Sequence, residues 1–233
     1  MTTVFVAGAT GYTGRHVVSA CTARGWRTIA HVRPDSPALV DWTQRFTADG
    51  ALVDRSEWTI EAMSAALVER APDVVFALLG TTRKRNRRNG VSTYEAVDYG
   101  LTNCLLEASR SLQQQPVFVY LSCMGAGGST RNKYLQVRTR IEAELRAARI
   151  PHVIARPGFI TGPDRDENRL GETVAAHVGN GALSILRALG AKQLDRRYRS
   201  ITGSSLAKAL VALAADPDAR GVYESDALQA LSG

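Results

Sequence analysis

Val4-Phe5-Val6-Ala7-Gly8-Ala9-Thr10-Gly11-Tyr12-Thr13-Gly14-Arg15 decides how this chain is read. Val4 to Ala7 are apolar, the pattern of a short buried strand. Gly8, Gly11 and Gly14 follow as G-x-x-G-x-x-G, with the middle glycine one residue later than in the commoner G-x-G-x-x-G. Behind them Val17, Val18, Ala20 and Cys21 are set against Arg15, Ser19, Thr22 and Arg24, an amphipathic helical pattern. Strand, glycine turn and helix in that order predict the first unit of a dinucleotide-binding fold. Gly8 permits the sharp turn, Gly11 lets backbone approach a pyrophosphate, and Gly14 lets the helix pack closely. Thr10, Tyr12, Thr13 and Arg15 complete the expected cradle, where helix N–H groups and the positive dipole end face the phosphates.

Outward from this unit the chain alternates. Strands are predicted at 27–32, 51–53, 73–79, 117–121 and 151–155, with a last short one at 222–223. Helices are predicted at 38–45, 59–70, 133–148 and 204–214, with weaker stretches at 173–177 and 183–189. A further long helix is predicted from the capping box Ser92-x-x-Glu95 to about Leu112. The expected fold is α/β, a Rossmann-type doubly wound parallel sheet with a small C-terminal helical extension. The 233 residues read as a single NAD(P)-binding domain in which 158–233 contribute the substrate side.

Composition narrows the class. The chain is 45% hydrophobic and 22% charged, ordinary for a folded globular protein. No run approaches the ~20 apolar residues of a membrane span, and the early strand leaves no room for a signal peptide. Cys21, Cys104 and Cys123 are scattered, which reads as reduced thiols in a cytoplasm. His16, His31, His152 and His177 are equally dispersed and give no zinc pattern. The formal charge of +7 is read as an arginine-rich composition plus a site for an anionic cofactor. The basic run Arg83 to Arg88 borders the expected substrate side, where a solvated loop or a clamp for an acidic substrate or partner both fit. Nucleic acid is disfavoured, because no aromatic residue interleaves with that run. Asp164, Arg165, Asp166 and Glu167 read as a surface ion-pair cluster.

The second strand ends not in a lone carboxylate but in Arg33, with Asp35 two residues on. Arg33 and Arg15 together suit the 2′-phosphate of NADP(H) better than the ribose hydroxyl of NAD. Asp54 at the end of the third strand is placed to touch adenine or to cap the strand end. Leu79, Gly80 and Thr81 fall at the carboxyl end of the fourth strand, where such sheets bind ligands. Pro157 and Gly158, closing the sixth strand, are also expected at the cofactor.

Tyr120-Leu-Ser-Cys-Met-Gly-Ala126 and Tyr134-Leu-Gln-Val-Arg138 carry the chemistry. With the glycine motif, LLGTTR at 78–83 and RPGFITGPDRDENRLGE at 156–172, they resemble an atypical short-chain dehydrogenase/reductase over almost the whole chain. The resemblance looks closest to the Tat-interacting, short-chain-dehydrogenase-like family and its bacterial relatives. It implies an oxidoreductase acting on a small carbonyl substrate, or a catalytically weakened, cofactor-binding regulatory protein. It maps the proton-transferring tyrosine onto Tyr134, whose phenol a nearby cation is expected to make more acidic. The lysine four residues on is Arg138 here, which keeps the charge but not the shape or the titration. The serine position falls on Cys123 with Ser122 one before it, and strand alternation sends those two side chains opposite ways. The helices at 93–112 and 133–148 could pair two copies in a homodimer or pack on their own sheet.

Overall fold

The computed structural model describes residues 1–80, 94–162 and 199–232. Its sheet is built as the alternation requires. Strand β1 (Thr3–Ala7) leads through the glycine turn into helix α1 (Tyr12–Ala23). Then come β2 (Arg27–His31), α2 (Leu39–Ala48), β3 (Leu52–Asp54), α3 (Ile60–Arg70) and β4 (Val74–Ala77). After the break follow a π-helix over Tyr94–Leu101, α4 (Thr102–Arg110), β5 (Val117–Leu121), α5 (Lys133–Ala148) and β6 (His152–Arg156). The chain closes with β7 (Ile160–Thr161), β8 (Ile201–Thr202), α6 (Gly203–Ala215), β9 (Gly221–Glu224) and α7 (Ser225–Ala230).

Seven strands form one parallel sheet in the order β3-β2-β1-β4-β5-β6-β9. Alternation along β1 divides the core, as a strand covered on both faces must. Val4 and Val6 pack with Val17, Val18 and Leu210 on one face. Phe5 and Ala7 pack with Met63, Leu67, Leu105 and Ile141 on the other. Side-chain caps fix three helix starts: Thr59 accepts from the Ala62 amide, Asn132 from Tyr134 and Leu135, and Thr202 from Ser205.

Two features depart from the expectation. The long helix expected from Ser92 is π-helical from Tyr94 to Leu101 before it becomes α-helical; Ser92 itself lies outside the described residues. A second, two-stranded parallel sheet, β7 with β8, was not foreseen. The stretches expected to be helical at 173–177 and 183–189 also lie outside the described residues.

Candidate functional site at the carboxyl edge of the sheet

The strand order turns at β1, which pairs with β2 on one side and β4 on the other. Ligands of open α/β sheets bind outside the carboxyl ends of the strands at such a point, and the glycine turn stands there. Gly8 has φ +81°, and a Cβ on it would lie 2.6 Å from the Leu78 carbonyl oxygen. A Cβ on Gly14 would lie 2.0 Å from the Gly8 carbonyl oxygen, so α1 rests directly on its own turn. The Gly11 amide donates to the Gly8 carbonyl at 3.0 Å. Helix α1 begins at Gly11 with no side-chain cap and no acidic residue in its first turn. These residues fit a pyrophosphate: an uncapped helix N-terminus behind a turn so close that a Cβ on Gly8 or Gly14 would strike backbone.

Around the turn the expected cofactor residues separate. Thr13 is buried and Thr10 half-buried beside it. Tyr12 sends its side chain away, its hydroxyl donating to the Thr161 carbonyl at 3.0 Å, while the Arg15 guanidinium lies 5.1 Å from its ring centre. Arg33 stands at the open end of β2, with Nη1 donating to Asp35 at 3.2 Å. Asp54 is buried and its Oδ1 accepts from the Ser56 amide at 2.9 Å, closing the strand end. The Pro157 carbonyl accepts from the Met124 amide at 2.9 Å and ties the loop after β6, with Gly158, to the loop after β5. Thr81, the basic run 83–88 and the charged stretch 164–167 lie outside the described residues.

Leu79 and Gly80 join this turn to the second half of the site. Arg138 reaches from α5 to the Leu79 carbonyl at 3.2 Å. A Cβ on Gly80 would come within 2.8 Å of Arg138 Nη2, so glycine there makes room for the guanidinium. Arg138 is buried and donates also to the Tyr120 hydroxyl at 3.0 Å, the Leu121 carbonyl at 2.8 Å and Asp98 Oδ1 at 2.5 Å. Four of its five N–H groups are thus taken by protein. The fifth, Nε, is buried and makes no hydrogen bond among the described residues. Arg138 thereby ties together β5, the π-helix and the segment that follows β4.

Tyr134 sits one turn earlier on α5, its ring 5.1 Å from the Arg138 guanidinium and 5.2 Å from the ring of Tyr94. A side-chain hydrogen bond joins it to Cys123. Burial pushes its phenol up to about 12, and Arg138 only partly opposes this. The expectation that the cation would make the phenol more acidic is therefore corrected. The physical reason is that desolvation of the buried phenol outweighs the nearby Arg138 charge. Cys123 is half-buried, and its thiol is also raised, first by burial.

Ser122 turns elsewhere. Its hydroxyl donates to Glu142 Oε1 at 2.6 Å. Glu142 is fully buried and also receives Arg156, at Nε 2.9 Å and Nη2 2.5 Å, and Arg146 at 3.2 Å. These donors hold its carboxyl below the usual carboxylate range despite the desolvation that opposes them. Arg156 continues to Glu224 on β9 at 2.8 Å. The structure thus gathers Tyr134, Arg138 and Cys123 and leaves Ser122 in a separate ion network. Asp98, Tyr120 and Glu142 were missed by the sequence reading.

A Rossmann-type parallel sheet with a glycine turn at its carboxyl edge defines the class of NAD(P)-binding folds. The model of the NAD(P)H-binding family matches residues 8–217, and the chain belongs to that family. Among curated relatives, the mitochondrial protein FMP52 of Candida albicans is 26% identical over 179 residues, covering 76% of this chain and 75% of its own. The mitochondrial protein FMP52-1 of Scheffersomyces stipitis is 23% identical over 221 residues, covering 93% and 90%. Among solved structures, the UDP-glucose 4-epimerase of Bifidobacterium longum in complex with NAD+ and UDP superposes with TM-score 0.69 at 17% identity, covering 95% of this chain and 76% of that one. A Bacillus halodurans protein assigned to the NAD-dependent epimerase/dehydratases gives TM-score 0.70 at 16% identity, covering 100% and 99%. These likenesses show the fold. The mitochondrial names of the relatives overturn the cytoplasmic placement; scattered thiols ask only for a reducing compartment and do not name one.

Proposed function

We propose that the chain is an NADP(H)-binding oxidoreductase that reduces a small carbonyl compound, with Tyr134 as proton donor. The observation that carries this reading is the Tyr134–Cys123 pair on Arg138, set against Leu79 and Gly80 beside the glycine turn. Bound NADPH supplies the hydride. Tyr134 keeps its proton through neutral pH and yields it to a base stronger than a phenolate, which an alkoxide formed from a carbonyl is. The same protonation state disfavours the reverse reaction, where a phenolate would have to take the proton. Cys123, on the Tyr134 side, is the side chain to meet the carbonyl oxygen, as a weaker donor than serine. Preference for NADP(H) rests on Arg33 and Arg15, whose guanidinium groups suit a 2′-phosphate, with Asp35 as the residue that Arg33 would exchange for it. The LLGTTR and RPGFITG stretches support placing the chain near the Tat-interacting, short-chain-dehydrogenase-like family.

A second reading, a cofactor-binding regulator without turnover, is favoured by one observation: nearly every donor of Arg138 serves the framework. NADPH oxidation over a panel of small aldehydes and ketones separates the two. Tyr134→Phe is expected to lower turnover by about 10²–10⁴-fold and leave the Kd for NADPH within about twofold, because the glycine turn carries the phosphates. Wild-type turnover in Tyr134→Phe would overturn the proton-donor role. Tight NADPH binding without turnover on any compound would select the regulator.

A further inference from the structure

We infer that Asp98 is a positioning residue of this site: its buried carboxylate pins Arg138, so that Tyr134 faces one half of a closed ion pair and not a free cation. Asp98 is 0% and Arg138 5% exposed at the side chain, with 2.5 Å between Nη2 and Oδ1. The π-helix delivers the carboxylate, and the Asp98 carbonyl is anchored in turn by the Thr102 hydroxyl at 2.6 Å. Gly80 leaves the space, since a Cβ there would meet Arg138 Nη2 at 2.8 Å and Asp98 Oδ1 at 3.6 Å. A π-turn inside a helix costs regular hydrogen bonding and is common where a side chain must be set for a site.

The groups facing Tyr134 come from every neighbouring element. They are Arg138 on its own helix, Cys123 at the end of β5, Tyr94 and Asp98 on the π-helix, and Tyr120 beyond Arg138. Glu142 and Arg156 stand behind Cys123 and are paired with each other. Each cation in this described shell is thus matched by a carboxylate. Asp98→Asn keeps the size and the hydrogen bond to Arg138 but removes the countercharge. The phenol of Tyr134 would then ionise more easily, as beside an unpaired cation.

The inference rests on Tyr134 as the proton donor, but its test does not need turnover. The test follows tyrosinate absorbance of the whole protein up to about pH 10.5, with the same variants in a Tyr134→Phe background to isolate that residue. In the wild type Tyr134 stays protonated throughout. In Asp98→Asn its titration is expected to fall by about two units, within the ~1–3 units of a close cation, and so to enter that range; a Tyr134 still fully protonated at its upper end would overturn the inference. The double variant Asp98→Asn/Arg138→Gln replaces the pair with neutral amides and carries the test where the single variant does not fold. It is expected to leave Tyr134 protonated as in the wild type, and a Tyr134 that ionises in that range would overturn the inference. Failure of Tyr134→Phe to affect turnover would strike the proton-donor reading and leave these titrations as they are.

Discussion

Ser122 and Cys123 are adjacent in the chain, yet one enters the Glu142 network and the other meets Tyr134. Strand alternation foretold that divergence; which residue faced which partner was decided by Glu142, a carboxylate that the sequence disguises. Arg138, Glu142 and Arg146 recur at i,i+4, the usual pattern of a solvated ion ladder on a helix. Here Arg138 and Glu142 are buried, and only Arg146 of the three is substantially exposed. The legible signal was Arg156, an arginine ending a central strand, which needs a buried countercharge. Replacing Glu142 by Gln is expected to destabilise the protein by about 3 kcal/mol at neutral pH, because Arg156 loses its buried partner. Its folded-state pKa lies below the ordinary 4.5, so the charge contributes fully above that pH and is lost as pH falls below it. Thermal melts should therefore show a wild-type Tm that drops below about pH 4.5 more steeply than that of Glu142→Gln. Parallel curves would assign the acid sensitivity to other groups.

Elements with a clear apolar pattern, periodic or unbroken, are legible in the sequence. Strands β1, β2, β3, β4, β5, β6 and β9 and helices α1, α3, α5 and α6 fall close to where their apolar patterns place them. The π-helix is not legible because the apolar and aromatic positions from Tyr94 to Leu106 satisfy either winding. The β7–β8 sheet has two residues per strand, too few for any alternation to show. What holds it is Tyr12 of the glycine turn, seated against Gly162 and Gly203: a Cβ would come 1.7 Å from the Tyr12 hydroxyl at the first and 2.5 Å from its ring at the second. Gly203 has no left-handed backbone to protect, so Gly203→Ala tests this contact by sterics alone. It is expected to cost about 1–3 kcal/mol in denaturant unfolding. Combined with Tyr12→Ala the loss should be less than additive, with a coupling of at least about 0.5 kcal/mol. Strict additivity would mean that Tyr12 does not support β8.

At the scale of the molecule, the parallel register brings the carboxyl ends of the strands to one edge of the sheet. Val6 is level with Ala30 and Phe76, Ala77 with Tyr120, and Leu121 with Ala155. The glycine turn, Arg33, Leu79, Gly80, Cys123 and Pro157 follow the carboxyl ends of those strands. This much was legible at residue level, because a buried parallel strand announces its direction and its end. The choice of cofactor was not, since Arg33 and Asp35 are both exposed and form a pair with each other. The central claim is that this edge holds NADP(H) through the glycine turn and Arg33. The direct measurement is a titration of the protein with NADPH and with NADH, followed by quenching of its tryptophan fluorescence. The account predicts NADPH bound more tightly by about 1.5–3 kcal/mol, the worth of a hydrogen bond to a charged group, with that preference lost in Arg33→Ala. Equal binding of the two would transfer the adenine side to Asp35, and binding of neither would contradict the account at its root.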